Sequence, residues 1–254
     1  STIWDFDIVL WAKFNNNPSA GVFDWNFNNV SYLIVKRKKD GDFKWITIYI
    51  QKVDDYKDFN IQNIDITAAA NQTYQYAVVP IVDGMEGFYS TASVDVVSDS
   101  LVIADKDEVW YTLITDGYLD NTANIPSALL TTMYGKHPTI VRNTTANYEE
   151  ITVNAQFMPL DEDGCNYIWD DDGRRVKYNR QVKDFLTNDN DKIIRDPCGN
   201  IWLVYINTPP SDSADGVYNN RSISFGAVEI GDVEDEEDLY EAGLINTTEE
   251  WWIS

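Results

Sequence analysis

Apolar and polar residues alternate with a period of two along much of the first hundred positions, the spacing of strands that bury one face. Residues 43–50 show it most plainly. Trp45, Thr47 and Tyr49 fall on one face, and Ile46, Ile48 and Ile50 on the other. Residues 22–25, 30–38, 61–67, 73–80 and 88–97 read as further strands. Asp40-Gly41 marks a hairpin, since both central positions of a type I′ turn need positive φ. Gly84-Met85-Glu86-Gly87 marks another turn. Short strands at this spacing, with no long helical period between them, predict a β-sandwich.

Polar Ser98-Asp99-Ser100 breaks the pattern and charge density then rises, which places a domain boundary after Ser98. "LVIADKDEVWYTLI" reads as two short strands around Asp105-Lys106-Asp107. Residues 126–132 read as a helical turn or loop, and 139–142 and 150–157 as strands, the second alternating through Ile151, Val153, Ala155 and Phe157. After Asp170-Asp171-Asp172 the period becomes helical. Val176, Tyr178, Val182, Phe185 and Leu186 form one stripe, and the aspartates supply an N-cap and negative charge at the positive helix end, with Asn188 as the stop. Residues 192–195 and 201–206 read as strands around a Pro197/Gly199 turn, 209–218 as a polar loop, and 222–230 as a strand through Ile223, Phe225 and Ala227. The acidic stretch 234–241 leads into a short helix in "LYEAGLI", stopped by Gly243. The expectation is a mainly β chain: a β-sandwich over 1–98, a second β-rich domain (sandwich or barrel) over 99–245 with one helix near 174–187, and a C-terminal arm over 246–254.

Composition agrees. The 254 residues suffice for one large or two ordinary domains, and 9 Trp, 15 Tyr and 10 Phe favour pleated, half-buried surfaces. The net charge of -23 lies mostly after residue 98. A surface this negative repels phosphate, so neither nucleic acid nor an anionic membrane is expected as a partner. No apolar run reaches the length of a membrane helix. Residues 1–7 lack the pattern of a signal peptide, and Ser1 fits removal of an initiator Met. Cys165 and Cys198 match no metal spacing. They read as reduced thiols of a reducing compartment, with one disulfide as the alternative.

Candidate chemistry is sparse. His137 is the single histidine, precedes a proline, and is accompanied by no Gly-x-Ser-x-Gly elbow. The carboxylates of Asp161-Glu162-Asp163, Asp170–Asp172 and Asp189/Asp191 match no EF-hand loop and define no glycosidase pair. No enzyme, cofactor or metal is therefore expected. Two features point instead to contacts. Lys36-Arg37-Lys38-Lys39 is the one basic cluster. It reads either as lysines protecting a hairpin end or as a docking patch for the acidic surface of a neighbouring copy, with Glu234, Glu236 and Glu237 in the acidic run 229–241 as partner. Trp251-Trp252-Ile253 near one end, and the stretch from Trp4 to Trp11 near the other, are costly to expose. Each either folds back on its own domain or inserts into an adjacent subunit.

The order of motifs adds a resemblance. Trp25, then "SYLIVKRKKDGDFKWITIY", "TYQYAVVPIVDGMEG" and "YSTASVDV" resemble strands B, C–C′, F and G of a fibronectin type III domain. "YGKHPTIVRN", "VKDFLTNDNDKIIRDPCGNIWLVYI" and "ISFGAVEIGDVEDEEDLYEAGLI" resemble a family of structural proteins from tailed bacteriophages of Gram-positive hosts, in which a fibronectin-III-like domain precedes a β-rich one. The resemblance implies a virion protein of the tail, tail tip or baseplate. Such a protein is made in the host cytoplasm and works by self-assembly and docking to other tail proteins as a homo-oligomer. A host-receptor or carbohydrate-binding module of the tail tip is the alternative.

Overall fold

The computed structural model describes residues 30–82, 84–113, 117–131, 133, 136–142, 147–161, 166–168, 171–214 and 221–245. They form a mainly β protein in which strands pair antiparallel throughout.

β1 (Val30–Lys39), β2 (Ile46–Lys52), β3 (Gln72–Val82), β4 (Met85–Glu86) and β5 (Ser90–Val96) make the first sheet. β1 pairs with β2 on one side and β3 on the other, while β4 and β5 both pair with β3. The order β2-β1-β3-β5 is that of strands C′-C-F-G in the expected sandwich. Of the segments expected to face it, 22–25 lies outside the described residues, and 61–67 forms no strand. Asp65 accounts for the latter. Its Oδ1 accepts from the Thr67 amide at 2.9 Å and the Thr67 hydroxyl at 2.7 Å, so the segment turns on itself instead of entering a ladder. The Asp40-Gly41 turn also differs from expectation. Only Gly41 has positive φ, +90°, and the Asp42 amide donates to the Lys39 carbonyl at 3.0 Å. One left-handed position at the third residue suffices, so β2 starts late, at Ile46.

The second sheet contains β6 (Val102–Ala104), β7 (Val109–Tyr111), β8 (Gly117–Asn124), β11 (Tyr148–Gln156), β12 (Lys192–Arg195), β13 (Ile201–Ala214) and β14 (Arg221–Gly231), in the order β7-β6-β12-β13-β14-β11-β8. Between β8 and β11 lie β9 (Ser127–Leu130) and β10 (Thr139–Arg142), a separate two-stranded ribbon that prolongs the β8–β11 hairpin. Ser127–Leu130 is thus strand, within the 126–132 span read as a helical turn or loop, and β8 is a strand that the sequence reading lacks. β13 also runs on into the expected polar loop. Its register shifts between Ile206 and Thr208 and again before Ser211, which lets Pro209 and Pro210 pass.

α1 (Asp172–Leu186) covers one face of the second sheet. The Asp171 carboxylate caps it, accepting from the Arg174 amide at 2.9 Å, and Thr187, one residue before Asn188, ends it. Val182, Phe185 and Leu186 bury against Ile103, Val153, Ile194, Val204 and Phe225. Trp110 closes the side, with its ring 4.9 Å from Tyr178 and 6.0 Å from Phe185. A second helix, α2 (Glu236–Glu241), starts inside the acidic run, where Asp235 caps it, and stops before Gly243 at φ +68°.

The two sheets share apolar clusters. Leu239 and Ile245 pack with Ile48 and against Val35 and Tyr76 of the first sheet. Ala68, Ala69 and Tyr74 meet Ile201, and Ile66 meets Ile193, Leu203 and Val233. β5 ends at Val96 and β6 begins at Val102, but residues 232–245 return to complete the core of the first sheet.

Candidate functional site

The junction between the sheets brings together two of the charged groups that the sequence singles out, Arg37 and Glu234. On β1, alternation turns Arg37 inward, and it is wholly buried. Its Nη1 donates to Asp65 Oδ2 at 3.1 Å and to Thr67 Oγ1 at 2.6 Å. Its Nη2 lies 3.8 Å from Glu234 Oε2, and its guanidinium stands 5.1 Å from the Tyr74 ring centroid. Tyr76 Oη donates to the same Asp65 carboxylate at 2.9 Å. One cation thereby ties β1, the 61–70 segment and the acidic run after β14. Burial pushes the Tyr76 phenol up, and the Asp65 charge adds to this. Burial also raises the Glu234 carboxyl, against the pull of Arg37. Side-chain donors to backbone carbonyls reinforce the join: Lys44 Nζ donates to the Glu234 carbonyl at 3.2 Å, Arg195 Nη1 to the Ala68 carbonyl at 2.8 Å, and Asn71 Nδ2 to the Pro197 carbonyl at 2.5 Å.

The charge complementarity between the basic cluster and the acidic run is thus met, for Arg37 and Glu234, inside one chain. Arg37 has no surface to offer a neighbour. Lys36 pairs with Glu86, and Lys38 lies 4.9 Å over the Trp45 ring. Lys39 is partly exposed beside Tyr74 in the ladder. Glu236 and Glu237 form the first turn of α2, and Glu237 faces solvent. Trp4, Trp11, Trp251 and Trp252 lie outside the described residues.

A cleft of about 450 Å³ opens along the junction, between the 62–67 segment, the turn from β6 to β7 and residues 243–245. Its carboxylates hold the fold. Asp65 is bound to Arg37, Thr67 and Tyr76. Asp105 accepts from the Asp107 and Glu108 amides at 2.9 and 2.8 Å and from Asn188 Nδ2 at 2.8 Å. Among the described residues, no group of three His, Cys, Asp or Glu side chains is placed to hold a metal ion.

The structure also places apolar side chains in solvent, unread as a site in the sequence. Phe88, Tyr89, Val94 and Val97 are exposed around β5, as are Leu129, Leu130, Met133, Ile140 and Val141 on and beside the ribbon. In the ribbon, β10 matches the strand read at 139–142, while the signal for β9 is faint, because apolar residues on both faces leave no alternation to read.

No protein-family model matches the chain, and no curated protein matches it.

Proposed function

We propose that this chain is a structural subunit of a bacteriophage tail that acts by self-association and by docking to other tail proteins. The observation that carries the reading is the apolar surface left bare on regular strands: Leu129, Leu130, Ile140 and Val141 are each half exposed or more. Monomeric proteins rarely leave such patches open, and they mark contact surfaces. The order β2-β1-β3-β5 and the helix-covered second sheet are in keeping with the phage structural family that the motifs resemble. Immunogold labelling of intact phage particles with an antibody to this chain tests the proposal: label on tails is the expected result, and particles free of label overturn it.

A host-binding role has one observation in its favour. Phe43, Phe88 and Tyr89 are exposed aromatics, and Tyr89 stands edge-on to Trp45 at 6.4 Å. Such rings stack on sugar faces. Binding of the purified chain to host cell walls, lost on Tyr89→Ala, is the outcome that would favour it.

A further inference from the structure

The β9–β10 ribbon is built to be covered. Its pairing sets Leu129 opposite Ile140, Leu130 opposite Thr139 and Ala128 opposite Val141. Opposed residues share a face and successive residues alternate. Leu129 and Ile140 therefore mark one face, and Leu130 and Val141 the other. Their exposures are 63%, 56%, 54% and 50%, with Ile125 at 52% and Met133 at 89% alongside. The ribbon prolongs the β8–β11 hairpin but pairs with no further strand, so beyond the second sheet its pairing rests on two strands alone.

Charge identifies what covers it. From Asn121 to Tyr148 the chain has no Asp or Glu, while Lys136 and Arg142 are present, in a protein of net charge -23. Ribbon against ribbon would bring like charges together. Ribbon against the body of another copy brings them onto carboxylates. The run 229–241 contains no Lys or Arg. Arg37 and Lys44 reach only Glu234 from within the chain, and Asp235, Glu237 and Glu241 face solvent. The run also exposes Tyr240 at 42%, on the helix beside Glu237 and Glu241, and Ile230 at 47%, so it offers apolar contact among its acids.

We propose that β9–β10 is an assembly arm that seats on the α2 face of a second copy of this chain. The inference rests on the structural-subunit reading and names the partner of that surface. Arm and face are different patches, so the contact either closes by reciprocal exchange of two arms about a two-fold axis or propagates head-to-tail into a ring or a filament.

Sedimentation of the full chain over a range of concentration and salt tests this. Leu129→Ser with Ile140→Ser removes apolar contact from exposed positions. Lys136→Glu with Arg142→Glu, or Glu237→Lys with Glu241→Lys, reverses one side of the charge match. Each is expected to weaken association by about tenfold or more. The two charge reversals combined are expected to restore it, a rescue that a misfolded variant would not give. Oligomers indifferent to all of these changes overturn the arm alone. A wild-type chain that stays monomeric at every concentration overturns the self-assembly reading together with the arm.

Discussion

Lys192 Nζ stands 3.3 Å from Asp105 Oδ2, and both side chains are sealed from solvent. The ammonium also donates to Asn188 Oδ1 at 2.5 Å and to the Asn190 carbonyl at 2.7 Å, and it lies 4.8 Å over the Phe185 ring. The pair pins the loop after α1 to the turn between β6 and β7. Burial pulls the Lys192 ammonium down, against the opposing pull of Asp105. Removing one partner leaves a buried charge alone, so Asp105→Ala is expected to cost about 3–5 kcal/mol in chemical denaturation. Replacing the pair together, Asp105→Asn with Lys192→Met, is expected to cost less than the sum of the single changes.

The same carboxylate gives a pH dependence. Burial pushes Asp105 up, but hydrogen bonds from Asn188, Asp107, Asn190 and Glu108 outweigh it and hold the group below its ordinary value of 3.8. A carboxyl depressed in the folded chain favours folding above 3.8, and that stabilisation drains away as pH falls from there through the folded value. The stability gap between wild type and Asp105→Asn is expected to be constant near neutrality and to shrink only in that acid range. Melting curves of both proteins at stepped pH check this.

Arg37→Met leaves the partly buried Asp65 without its cation, and a loss of about 2–4 kcal/mol is expected. The loss should be local first. Hydrogen exchange at the amides of Thr67 to Asn71 should quicken before that of β13, because Arg37 holds this segment through Asp65 and Thr67.

Gly199→Ala tests the other side of the junction. Gly199 has φ +101°, and a Cβ there would sit 3.0 Å from the Ala70 carbonyl oxygen. Strain and clash act together, so the melting temperature should fall by several degrees, an effect of roughly 1–3 kcal/mol.

Two phenylalanines give a contrast. Phe185 is 3% exposed in the second core, and Phe43 is 97% exposed. Phe185→Ala is expected to cost about 3–5 kcal/mol, and Phe43→Ala to stay within about 0.5 kcal/mol. Denaturant titration of the two variants separates them.

Strands with one buried face were legible by alternation: β1, β2, β3 and β14 lie within a few residues of the expected spans. α1 was legible because its stripe and its aspartate cap agree. What escaped was set by partners distant in sequence. Residues 61–67 alternate like a strand, yet Asp65 is recruited by Arg37, 28 residues earlier, and the segment folds around that bond. β9 shows no alternation because both of its faces are apolar, and pairing with β10 makes it a strand. Arg37 sits among three lysines with nothing in composition to separate it. Only the inward phase of β1 does so, and the acidic partner expected on a neighbouring copy turns out, for this residue, to be Glu234 of the same chain.

The packing of Leu239 and Ile245 against Ile48 has a consequence for biosynthesis. Lys44 and Glu234, which meet across the same seam, are 190 residues apart. While the ribosome is still translating the second half, the nascent first sheet keeps Ile48 and Tyr76 without their cover. A chain that stops short of Leu239 leaves these apolar side chains of the first sheet without that cover.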